Sequence, residues 1–104
     1  MVRFFTVQAL AAAFSWAAWA QEDSPEAGRA YAQSICAKCH EIGQKGVFSP
    51  NPKAPAFSKI ANTPGITGAA LLVILQTVHR EMPDLIIPQK VKPGLIAYIL
   101  SLKQ

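Results

Sequence analysis

The chain has 104 residues, ten Lys and Arg against six Asp and Glu, and a formal charge of +4. That length is one small domain with no room for a second. The modest positive charge is not gathered into a basic stripe with interleaved aromatics, which argues against a nucleic-acid binder.

Residues 1–20 read as a secretory signal: Arg3 near the start, an apolar stretch over 4–18, and Ala18-Trp19-Ala20 as a cleavage pattern before Gln21. The apolar run falls short of the ~20 residues that a bilayer-spanning helix needs. Export with removal of residues 1–20 is therefore expected, an uncleaved anchor being the alternative. The mature domain, 21–104, keeps nine basic and six acidic residues, for a charge of +3. A chain of that size buries only about 60% of its unfolded surface and commonly needs a staple.

Ser24-Pro25-Glu26 carries an N-cap, a proline at the first helical position and an acid in the first turn. A first helix should run from about Pro25 into the region of Cys36. Gly28, Tyr31 and Ile35 share one face of it, which should pack inward, and Gly28 would permit close approach of another helix.

Cys36-Ala37-Lys38-Cys39-His40 follows. C-x-x-C-H is the pattern of covalent c-type haem attachment. Two thiols on one turn can both reach the vinyl groups on an edge of a porphyrin and become thioethers, while the next residue presents an imidazole to the iron. Half of a zinc site would need a second cysteine pair, and the chain has only these two cysteines. A thioredoxin-like redox pair would need a βαβ pattern around it. A disulfide between Cys36 and Cys39 would close a very short loop and staple almost nothing. Haem held by Cys36 and Cys39, with His40 as proximal ligand, explains the motif best. The macrocycle would also be the missing staple, so the chain without it should be largely unfolded.

Beyond the motif, Pro50, Pro52, Pro55 and Pro64, with Gly43, Gly46 and Gly65 among them, make regular structure improbable until Phe57. So long a loop needs something to organise it, and a haem edge would do so. Thr67 can cap a second helix reaching about His79, apolar on all sides over 69–75 and therefore expected to be enclosed. Met82-Pro83 should end it. A third helix is expected from about Pro93 to Leu102, with Leu95, Ile96, Ile99 and Leu102 on one stripe and Tyr98 beside it. Lys90 and Lys92 lie where the helix dipole favours acids. There is no internal repeat and no low-complexity tract.

In order, a signal segment, C-x-x-C-H after a first helix, a proline-rich loop, Met-Pro after a second helix and a terminal helix ending Ala-Tyr-Ile-Leu-Ser-Leu resemble the small class I cytochromes c of bacteria over 24–103. The resemblance implies an all-α, cytochrome c-like domain of about three helices around one haem c. It makes His40 and Met82 the iron ligands and Pro55 the residue whose carbonyl accepts the His40 Nδ1 hydrogen bond. Gly28 and Tyr98 become the glycine and aromatic where the first and last helices cross. The compact stretch between His40 and Met82 and the Pro93-Gly94 pair depart from the family pattern.

As an iron ligand Met82 is favoured over an ordinary core methionine because a soft thioether suits haem iron. His79, three residues earlier, is the rival, with the free carbonyls of a helix end as its commoner partner. The function implied is a periplasmic carrier of single electrons between redox proteins, a monomer and not an enzyme. The alternatives are a cytochrome subunit of a dehydrogenase or oxidase complex, or a haem protein with an open site and peroxidase-like chemistry. Lys38, Lys45, Lys53 and Lys59 could ring the haem edge and steer an acidic partner. Any membrane association would run through a partner or an uncleaved signal.

Overall fold

In the computed structural model Ser24 accepts a hydrogen bond from the Ala27 N–H at 3.1 Å and opens helix α1, Pro25–Ser34. The cap, the proline behind it and Glu26 in the first turn together satisfy and polarise the helix start. The structure describes residues 2–6, 8, 9, 11, 22–43, 48–77, 81, 82 and 86–104. Most of the apolar part of the expected signal, including Ala18-Trp19-Ala20, lies outside them. No helix among the described residues is long and apolar enough to cross a membrane.

Among the described residues four α-helices and one 3₁₀ turn make up the regular structure, and no strand occurs. The chain is all-α. α1 ends where Ile35 caps it through an N–H bond to the Tyr31 carbonyl, and the 3₁₀ turn Cys36–Lys38 follows at once. α2, Phe57–Ala61, is an addition to the three expected helices. Five residues are too few to carry a helical period, so the sequence marks only the end of the irregular stretch at Phe57 and no helix there.

Thr67 caps α3, Gly68–Gln76, by accepting from the Ala70 N–H at 3.1 Å. This helix stops before His79, and for a local reason: Thr77 is extended (φ −96°, ψ 133°) and its hydroxyl donates to the Val73 carbonyl at 2.6 Å. Nor is the helix enclosed. Leu71 is buried, but Val73 is 62% exposed and Leu72 38%. α3 meets α4 along one side, and a domain this small has too few elements to cover the other.

α4, Lys92–Ser101, begins one residue before the expected start. Pro93 fits there because the first helical turn has N–H groups with no partner inside the helix. α1 and α4 form the most extensive helix pair. Gly94 packs its backbone against the start of α1, close to the carbonyls of Glu22 and Ser24, while Gly28 faces the Gly94 carbonyl. Lys92 is buried, with its ammonium donating to the Gln89 side-chain carbonyl at 3.2 Å, and Lys90 meets Glu22 at 3.6 Å on the exposed surface. Solvated pairs of the latter kind add little stability. Ala32, Cys36, Phe57, Ala61, Leu71, Ile87, Leu95, Tyr98 and Ile99 form the core.

Candidate cofactor site

The turn after α1 folds back on one atom: the Cys36 carbonyl accepts from the N–H groups of both Cys39, at 3.1 Å, and His40, at 2.9 Å. This tight turn sets the two cysteines and the histidine together. Cys36 is buried and Cys39 half-buried, both as free thiols. Burial pushes the Cys36 thiol up from its usual 9.0 to about 11, so it is neutral at physiological pH. Tyr31 is raised as well, first by its own burial and then by the charge that Cys36 would carry if ionised.

The proline-rich loop is organised by Asn51. Its N–H donates to the Cys39 carbonyl at 3.1 Å, its side-chain oxygen accepts from the Lys53 N–H at 3.0 Å, and its carbonyl accepts from the Ala54 N–H at 3.0 Å. An Asn turn therefore brings the chain back across the cysteine motif. The loop delivers the Pro55 carbonyl to His40 Nδ1 at 2.7 Å. A carbonyl can only accept, so Nδ1 carries the proton and Nε2 is left with its lone pair free to bind a metal. The Phe57 ring lies against the imidazole, tilted by 52° at a centroid distance of 5.4 Å.

These groups border a cleft of about 590 Å³. Cys36, Cys39, His40, Pro55 and Met82 all line it, with Phe57, Leu71, Leu75, Ile87, Leu95 and Ile99 supplying an apolar wall. All five expected site residues thus meet at one place, although 46 residues separate Cys36 from Met82 in sequence. Lys38 and Lys53 also line the cleft, whereas Lys59 stands exposed on α2. His79 and Lys45 lie outside the described residues. Sequence reasoning passed over Asn51, Phe57 and Glu81, which share the lining. The Ser-Pro-Asn-Pro run held a turn signal that would have found Asn51; nothing local marks Glu81.

Among the described residues no three His, Cys, Asp or Glu side chains gather into a group able to hold a bare metal ion. The donors present are two thiols, one imidazole nitrogen and one thioether on an apolar cleft of cofactor size. That set suits a macrocycle that brings its own equatorial ligands to iron and asks the protein only for anchors and axial donors. No family model, no curated protein and no solved structure matches this chain.

Proposed function

We propose that the chain is a monohaem c-type cytochrome, with a cytochrome c-like packing of its helices around one covalent haem, and that it carries single electrons between redox proteins rather than catalysing a reaction. The observation that carries this reading is the hydrogen bond from His40 Nδ1 to the Pro55 carbonyl, made on the same cleft that Cys36, Cys39 and Met82 line. It readies Nε2 as a metal donor, which a structural histidine has no need of.

In this reading Cys36 and Cys39 would hold the macrocycle through thioethers, and the His40 imidazole and the Met82 thioether would bind its iron. Haem iron bound there would supply one-electron chemistry. Pro55 fixes the His40 tautomer and, by drawing on the Nδ1 proton, makes Nε2 the more basic donor. The Met82 thioether, as a soft donor, would favour the ferrous state and so a higher potential. Leu71, Leu95 and Ile99, all buried, keep water from the inner wall. In this reading the haem is attached after export, and the working protein, residues 21–104, is periplasmic.

A second reading, a cytochrome subunit of a larger dehydrogenase or oxidase complex, draws on the exposed apolar face of α3 at Leu72 and Val73. A partner that co-purifies in fixed ratio would favour it over a free monomeric carrier.

The deciding experiment is the optical spectrum of the exported protein, oxidised and reduced, after acid-acetone extraction. Covalent low-spin haem with the weak far-red band of sulfur on ferric iron is the expected result. Covalent haem without that band would replace Met82 by His79 or an open site. A chain that carries no haem would return Cys36 and Cys39 to the redox-pair alternative.

A further inference from the structure

Tyr98 sits on α4, 58 residues beyond His40, and is 7% exposed. Its ring belongs to the core, but its hydroxyl leaves the core to donate to the Ile42 carbonyl at 2.5 Å. Ile42 is two residues past His40. The segment between them is held from other directions too: Glu41 N–H donates to the Ser49 hydroxyl at 3.0 Å, and the Glu41 carbonyl accepts from the Phe57 N–H at 2.8 Å. The backbone that leaves His40 is therefore tied to α4, to the proline loop and to the start of α2. A buried Tyr hydroxyl needs some partner. This one finds it in the strand of loop that sets where the imidazole root stands.

We infer that Tyr98 is a positioning residue for His40: its hydroxyl, through the Ile42 carbonyl, holds the imidazole in register with the Pro55 carbonyl. The inference rests on the proposal that His40 binds haem iron. Without the hydroxyl the core keeps its ring, while the 41–43 segment gains freedom and the Nδ1–H bond to Pro55 is made less of the time. A weaker Nδ1–H bond leaves Nε2 less basic, which favours ferric iron less.

The test is Tyr98→Phe in the haem-loaded protein, with Ser49→Ala as a second release of the same segment. Expected are covalent haem as before, an upward shift of the midpoint potential, and exchange of the His40 Nδ1 proton faster by up to about tenfold, the factor set by one lost neutral hydrogen bond. Both variants should move in the same direction. A purely structural Tyr98 would lower the melting temperature yet leave potential and Nδ1 exchange at their parental values, and that result overturns the inference. A parent protein without covalent haem would instead defeat the haem proposal itself, so the two failures are told apart by the unsubstituted chain.

Discussion

Gly28 and Gly94 meet backbone to backbone where α1 crosses α4. A Cβ on Gly28 would run into the Gly94 carbonyl, and one on Gly94 would lie 2.8 Å from the Ser24 carbonyl oxygen and closer still to that of Glu22. None of these obstacles is a side chain that could swing aside. The Pro93-Gly94 pair is thus the second half of the contact that Gly28 begins.

Gly94→Ala and Gly28→Ala should each be destabilising by about 1–3 kcal/mol or more, as overpacking is in a well-filled core. For a domain of this size that is a fall in melting temperature of roughly 4–24 °C. Gly68→Ala is the control: its new methyl would meet Ile96 Cγ2 at an ordinary 3.5 Å, so thermal denaturation should show no loss and up to ~1 kcal/mol of gain. Equal melting temperatures for all three would refute the close crossing.

Cys36→Ala or Cys39→Ala should abolish stable two-point attachment of haem and most of the folded protein in the exported fraction. The check is a haem stain of denatured protein beside a measurement of total yield. Parental yield with full haem loading would sink the proposed chemistry of the motif.

Met82→Ala should leave haem attached while opening the sixth position. The midpoint potential should fall, by some part of the ~0.8 V that axial ligands command, and added cyanide or carbon monoxide should bind faster. An unchanged potential with no gain in binding rate would move the sixth ligand to His79.

A pH dependence follows from Cys36. Its folded pKa of about 11 lies above the usual 9.0, so between those values the folded state holds a proton that the unfolded state has released. Stability is full below pH 9 and declines as pH rises toward 11, by about 2–3 kcal/mol in all. The residual helical signal of the haem-free chain should drop over that window. A thioether has no proton to lose, so the haem-loaded protein should show no such step.

Much of the helical layout was legible in the sequence because it rests on local chemistry. Ser24 and Thr67 announce their helices through caps that act within three residues, and both bonds form as expected. α2 escaped notice because it is one short turn and a half, and the end of α3 because Thr77 closes it with a side-chain bond that competes with the helix ladder. The exposed face of α3 was misjudged for a different reason. Composition says that a helix is apolar on all sides, but only its neighbours decide which sides are covered.

The sequence by itself determined the all-α class, the capped starts of α1 and α3 and the chemical types of the donors, since thiol, imidazole and thioether are properties of Cys36, Cys39, His40 and Met82 wherever they lie. Only the tertiary structure decided that Met82 shares a cleft with the cysteine motif, that the Pro55 carbonyl is the atom His40 meets, and that Gly94 and Tyr98 serve the same frame. Those are relations between residues 15 to 66 positions apart. Their formation depends on how helices pack and loops close, which no local pattern records.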